Sequence, residues 1–517
     1  MAAPDCVDLL IIGGGINGTG IARDAAGRGH KVVLVEQSDL ASATSSASTK
    51  LIHGGLRYLE LFEFRLVREA LMERERLLGI APHIIRPMRF ILPHVEGLRP
   101  RWQIKLGLFL YDHLGGRHRL PASHGMRLDT ARDPVAASGL RPNLDYGFAY
   151  SDCWVDDSRL VVLNAMDAAQ RGASIRTRTR FLTATPASVA KHEQRWNVQL
   201  EDQLSGVRSE LQCRAIVNAA GPWVEKALHR IPGIRNDTQV RLVKGSHIVV
   251  PRMYAGAHAF TLQNPDGRVV FTVPYENEFT LIGTTDVAYD ADPAAVQIGV
   301  DEIDYLCATV NEYFQQSITP DEVKWTYAGV RPLSDDDATN ASKVTRDYKL
   351  ELTANHAHPA LLSVFGGKIT TYRRLAETAL QKLQPFIGGS TQSWTHTATL
   401  PGGDLPRGDF DAFLIGVKRR WPFLAPPLAQ RLAHAYGTRV SDILGAAKSS
   451  EDLGQQFGAG LSAAEVDYLF EHEWAHAAED ILWRRTKLGL HMSATEQENF
   501  ARYCAGRART ELPLAAG

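Results

Sequence analysis

Cysteine is scarce in this 517-residue chain, and the five present, Cys6, Cys153, Cys213, Cys307 and Cys504, lie far apart with no CxxC pair. An odd, scattered set fits neither a disulfide framework nor a zinc or iron–sulfur site, so a reducing compartment and no metal are expected. No stretch approaches the roughly 20 apolar residues that cross a bilayer. The N-terminus also lacks the basic start and long apolar run of a signal peptide, so any membrane role is expected to be peripheral. Neither sign of charge is in excess. The 57 Lys and Arg face 58 Asp and Glu, a formal net charge of -1, and no global field advertises nucleic acid as a partner. Internal repeats are missing too. What is present is ordinary globular composition, 44% hydrophobic and 22% charged, in a chain long enough for two or three units.

Strand-like segments recur at Val7 to Ile12, Lys31 to Val35, Ala215 to Asn218, His247 to Val250, Val269 to Val273, Phe279 to Ile282 and Leu361 to Phe365. Helical patterns such as Leu59 to Leu78 and Tyr372 to Leu383 separate several of them, which predicts an α/β core with a β-rich unit inserted or following. After Leu400-Pro401-Gly402-Gly403 the chain turns helix-rich, and a C-terminal helical domain is expected from about Gly389.

The first strand runs into Gly13-Gly14-Gly15-Ile16-Asn17-Gly18, which satisfies GxGxxG at Gly13, Gly15 and Gly18 and opens a helical pattern. Gly13 permits the tight turn, Gly15 lets backbone approach a pyrophosphate, and Gly18 allows close helix packing, with the phosphates at the helix N-terminus. The next strand ends in Glu36, placed to accept hydrogen bonds from an adenosine ribose and to repel a 2'-phosphate. FAD or NAD is therefore expected over NADP, and the motif alone does not separate those two. From Ala41 to Thr49 every residue is Ala, Ser or Thr, which lets backbone lie against a flat ligand and supplies amide and hydroxyl donors.

From Ala43 to Leu59 the sequence resembles the FAD-dependent sn-glycerol-3-phosphate dehydrogenases of the bacterial aerobic type. The resemblance continues through Tyr150 to Asp157, Asn218 to Trp223, Lys244 to His247, Gly283 to Asp286, Gly329 to Leu333, Thr345 to Tyr348 and Phe365 to Arg373, and weakens after about residue 400. It implies a Rossmann-like FAD-binding domain (about 1–80, 150–225 and 345–388) interleaved with a β-sheet-containing substrate or cap domain (about 81–149 and 226–344). An α-helical C-terminal domain would follow at 389–517.

As cofactor the resemblance implies FAD. Its contacts would be Gly13, Gly15, Ile16, Asn17, Gly18 and Glu36, then Thr44, Ser45, Ser46, Ser48, Thr49, Lys50, His53, Gly54 and Gly55. Ala220, Gly221, Asp286, Gly366, Gly367, Lys368, Ile369 and Thr370 would complete the set. The substrate would be a phosphorylated alcohol, glycerol 3-phosphate, held by Arg57, Tyr58, Arg331, Arg346 and Lys368. Several cations suit a phosphomonoester, which carries nearly two negative charges. The implied reaction moves a hydride from C2 to flavin N5, with His53 or His247 taking the hydroxyl proton and Arg331 polarising the developing carbonyl.

No second nicotinamide motif and no iron–sulfur spacing offers the electrons an internal exit. The resemblance supplies a membrane quinone, hence a peripheral enzyme on the cytoplasmic face of the inner membrane, and a homodimer is one expected assembly. Residues 81–120 carry seven Lys or Arg against Glu96 and Asp112, and Arg101 to Tyr111 mixes cations and aromatics as an interfacial helix would. A core helix with solvated ends is the competing reading. Two other functions stay open at this point: an oxidase that passes electrons to oxygen, and a catalytically silent flavin-binding sensor or assembly protein.

Overall fold

Strand Cys6–Ile12 is the centre of the architecture because its residues Leu9 to Ile12 are buried on both faces. In a computed structural model the described residues are 6–511, except 117–118, 130, 132, 191–192, 235–237, 239 and 335–346. Cys6–Ile12 pairs in parallel with Val32–Val35 on one side and Arg208–Asn218 on the other. Ser174–Arg176 and Ala360–Phe365 extend the parallel sheet outward. Alternation along the strand assigns its two faces. Leu9 and Ile11 pack under helices Ile16–Gly27 and Tyr372–Ile387, whereas Leu10 and Ile12 pack under the antiparallel hairpin of Thr179–Ala190 and Glu193–Asp202. Such double-sided burial explains the short, nearly continuous apolar runs that mark these strands in the sequence.

A second sheet of ten strands is antiparallel except where Ala259–Gln263 runs beside Ile85–Pro93. Its strands come from 51–52, 85–155 and 240–334, between the segments of the first sheet, so the two units interleave as expected. Two local expectations change. Strand Tyr146–Val155 belongs to this second sheet, not to the FAD-binding part, because it pairs along its length with Ile85–Pro93. The switch comes at Asp156, whose carboxylate accepts from Arg159 N at 3.2 Å and starts helix Asp157–Gln170. The helix expected over Leu59 to Leu78 is broken: Leu56–Leu61 forms a tight 3-10 turn, Phe62 takes a left-handed φ of 58°, and the α-helix runs Phe64–Ile80.

The C-terminal stretch is helical, with Phe410–Arg420, Pro426–Tyr436 and Ala463–Glu473 among its helices. It shares one continuous core with the rest: Leu432, Tyr436, Leu469 and Ile481 pack in the same cluster as Leu160, Val161 and Leu163 of helix Asp157–Gln170.

A pH dependence follows from this seam. His83 is buried there, with neither ring nitrogen hydrogen-bonded among the described residues, and its carbonyl lies 2.9 Å from Nδ1 of His434. Burial, with Arg159 and His434 nearby, lowers its pKa to about 3, and burial and Arg86 lower His434 to about 4. Below the ordinary imidazole value of 6.5 the unfolded chain binds protons that the folded chain refuses. This stability is complete above pH 6.5 and is lost as pH falls through the folded values. Stability against urea is expected to fall steadily from about pH 7 to 4, and His83→Leu to remove about 1.4 kcal/mol per pH unit from that slope. An unchanged slope would contradict the assignment.

Candidate functional site

A cavity of ≈ 780 Å³ runs between the two sheets, and the glycine turn forms its floor. The three motif glycines have separate duties. A Cβ on Gly13 would lie 2.4 Å from the Ala219 carbonyl, and its φ of +112° is closed to other residues. One on Gly18 would lie 1.9 Å from the Gly13 carbonyl. Gly15 faces the cavity, where a Cβ would meet only Ser45 Oγ, at 3.0 Å. Helix Ile16–Gly27 therefore presents its N-terminus to the cavity, and Ile16 N donates to Ser45 Oγ at 3.0 Å. Glu36 lines the same end. Its carboxylate accepts from the amides of Gly14 (2.7 Å) and Ser38 (2.9 Å), while burial raises its pKa against those two bonds.

The small-residue loop is the adjoining wall. Thr44, Ser45, Ser48 and Thr49 line the cavity, whereas Ser46 and Lys50 do not. Lys50 is buried, and its ammonium donates to both Asp157 oxygens at 2.9 Å and to the Ser46 carbonyl at 3.0 Å. It braces the loop from behind. Gly54 and Gly55 are also outside the lining: Gly54 N donates to Tyr111 Oη at 2.7 Å, and Gly55, at φ +75°, makes room for the Tyr58 ring. Ala220, Gly221 and the run Gly366 to Thr370 line the cavity, as do Ile16 and Asn17. Asn17 Nδ2 donates to the Gly366 carbonyl at 3.2 Å, tying the first helix to the turn before helix Tyr372–Ile387.

At the far end the wall is His53, Tyr58, Phe271, Thr284, Arg331 and Lys368. Arg331 is set by two bonds, Nη1 to Asp286 at 2.5 Å and Nη2 to Thr284 Oγ1 at 3.1 Å. Gly245 leaves it space, since a Cβ there would come within 2.5 Å of its guanidinium. The Lys368 ammonium sits 3.7 Å from the Tyr58 ring centroid. Asp286 thus orients Arg331 and does not itself line the cavity.

His247 lies behind the wall. It is fully buried, its Nε2 is 3.0 Å from Thr49 Oγ1, and its ring stacks on Tyr327. Burial, then the charges of Arg331 and Lys50, hold its pKa well below 6.5, so it is neutral at ordinary pH. Arg57 is absent from the lining, and Arg346 lies outside the described residues. Of the expected substrate cations the fold brings Arg331 and Lys368 together. Sequence reasoning missed Phe271, which carries no motif, and Arg178, Glu479 and Arg484, which line the Glu36 end from distant segments.

The arrangement offers a donor-rich groove with a helix N-terminus at one end and fixed cations beside an imidazole at the other. A dinucleotide followed by a small anionic substrate fits this order of chemistry.

Residues 8–373 match the family model described as FAD dependent oxidoreductase, and residues 393–510 match the C-terminal domain of alpha-glycerophosphate oxidase. The aerobic glycerol-3-phosphate dehydrogenase of Escherichia coli is 49% identical over 508 residues, 98% of this chain and 99% of that protein. D-erythritol 1-phosphate dehydrogenase of Brucella abortus is 50% identical over 510 residues, 97% of this chain and 98% of its own. Among solved structures, the glycerol-3-phosphate dehydrogenase from Bacillus halodurans complexed with FAD has a TM-score of 0.75 at 28% identity, covering 97% of this chain and 91% of that one.

Proposed function

Because the chain belongs to the FAD-dependent oxidoreductases that carry the C-terminal domain of alpha-glycerophosphate oxidase, we propose that it oxidises sn-glycerol 3-phosphate to dihydroxyacetone phosphate and passes the electrons to a membrane quinone. The observation that carries the substrate reading is the pairing of Arg331 and Lys368 with His53 and Tyr58 in one wall of the dinucleotide cavity. Bound FAD supplies the hydride acceptor.

The protein's residues supply the rest. Arg331 and Lys368 hold the dianionic phosphate, each close charge pair worth about 4 kcal/mol of gross attraction at an effective dielectric near 20. The two bonds that fix Arg331 remove the reorganisation a free side chain would need, so the same cation also polarises the oxygen at C2 as it becomes a carbonyl. His53 accepts the C2 hydroxyl proton, a task suited to an imidazole at neutral pH. His247, neutral and buried, serves by holding Thr49 in the wall.

A longer phosphorylated polyol is a second reading, favoured by the equally similar relative named for D-erythritol 1-phosphate. The relative rates at which the two phosphates reduce the flavin separate these readings.

Delivery to a quinone needs a bilayer surface, and no helix among the described residues is long and apolar enough to cross one. Helix Arg101–Leu114 is apolar on two sides. Ile104, Leu108 and Tyr111 are buried, while Trp102 (68% exposed), Leu106 and Phe109 (56%) face outward among the exposed cations Arg101 and Lys105. The neighbouring turn adds Phe62, 79% exposed, only four residues from Tyr58 in the cavity wall. This favours the interfacial helix over the solvated core helix; the cytoplasmic face of the inner membrane is the side we infer from the resemblance alone.

The double variant Phe62→Glu/Trp102→Glu is expected to bind vesicles rich in phosphatidylglycerol about 100-fold less tightly. It should retain turnover with a soluble quinone. Undiminished vesicle binding would contradict this surface.

A further inference from the structure

Beyond Glu36 the cavity wall is made by Ser38, Asp39 and Arg178, and then by Ala477, Glu479 and Arg484 from the C-terminal helical unit. These residues are locked together. Arg484 donates through Nε to Asp39 at 2.6 Å, through Nη1 to Glu479 at 2.8 Å and through Nη2 to Asp480 at 2.5 Å. Arg485 gives Asp39 two more bonds, at 2.5 and 2.8 Å, and Arg178 reaches Asp480 at 2.6 Å. Asp39 and Asp480 are both buried.

The position of Asp39 gives this network a consequence. It lies between Glu36, which lines the cavity where a bound ribose would sit, and Ala41, whose amide donates to the Gly14 carbonyl at 3.1 Å. The loop that links the Glu36 carboxylate to the glycine turn is thus clamped from the C-terminal side, more than 400 residues along the chain. Guanidinium planes such as those of Arg178 and Arg484 also suit a purine.

We propose that the C-terminal unit is part of the FAD site: it closes the adenosine end, and Arg484 is a positioning residue that holds the Glu36 to Ala41 loop in its binding shape. The inference rests on FAD as the cofactor and assigns the helical unit a role in retaining it.

The test titrates apoprotein with FAD, followed by flavin fluorescence, and with ADP, followed by calorimetry. ADP carries the adenosine end without the flavin. Arg484→Gln is expected to weaken FAD and ADP by the same factor, about tenfold or more, with far-UV circular dichroism unchanged. The side chain of Glu479 is 71% exposed, so Glu479→Ala provides a variant that leaves no buried charge unpaired should Arg484→Gln fail to fold. It is expected to weaken both ligands by about two- to fivefold. Unchanged FAD affinity in the variants, or weaker FAD with undiminished ADP, would overturn the inference. Wild-type apoprotein that takes up ADP but no FAD would instead overturn the cofactor assignment on which it rests.

Discussion

Arg331→Ala is expected to lower kcat/KM for sn-glycerol 3-phosphate by about 10³-fold, through both a higher KM and a lower kcat, while FAD stays bound. The split follows from the two roles proposed for the side chain. As a phosphate partner it contributes to ground-state binding, and removal raises KM. As the fixed cation beside the reacting oxygen it contributes only as negative charge develops, and removal lowers kcat. Its bonds to Asp286 and Thr284 go toward the second sheet, not the glycine turn, so cofactor affinity has no reason to change. Steady-state kinetics with the flavin content of each preparation reads all three quantities. Loss of FAD on substitution would place Arg331 in the wrong half of the cavity.

Gly15→Val is expected to do the reverse, reducing FAD affinity by at least about 100-fold in a protein that still folds. The backbone of Gly15 has φ -82° and is open to any residue. A Cβ there approaches only the Ser45 hydroxyl, and the valine methyls project into the cavity, where a pyrophosphate must come close to the turn. Gly13 and Gly18 differ, since their added Cβ atoms would strike backbone carbonyls and disturb the fold itself. Flavin titration of apoprotein together with thermal melting distinguishes these outcomes. Tight FAD binding by Gly15→Val would remove the glycine turn from the pyrophosphate site.

The parallel sheet was legible because Leu9 to Ile12, Ala215 to Val217 and Leu361 to Phe365 are buried on both faces and leave short, almost wholly apolar runs, with Ser363 the one polar residue among them. The glycine turn was legible because its chemistry is local. Lys50 was misplaced for the opposite reason: the resemblance carries it along with its motif, and only the long-range pair with Asp157 shows it to be a brace. His247 has the same history, since its motif says nothing of the burial that keeps it neutral behind Thr49. The break at Phe62 was hidden because its flanks are good helix formers, and a left-handed residue other than glycine leaves little trace in sequence. Arg484 was the least legible. Its partner Asp39 lies 445 residues away, and nothing local marks it as part of the cavity wall.

The central claim is that a phosphorylated alcohol gives its C2 hydride to the flavin in this cavity. Anaerobic mixing of the FAD-loaded protein with sn-glycerol 3-phosphate in a stopped-flow spectrometer tests it most directly. The oxidised flavin absorbance is expected to bleach within catalytic times, faster than with D-erythritol 1-phosphate, and to return on addition of a soluble quinone. A flavin spectrum unchanged by sn-glycerol 3-phosphate would contradict the account.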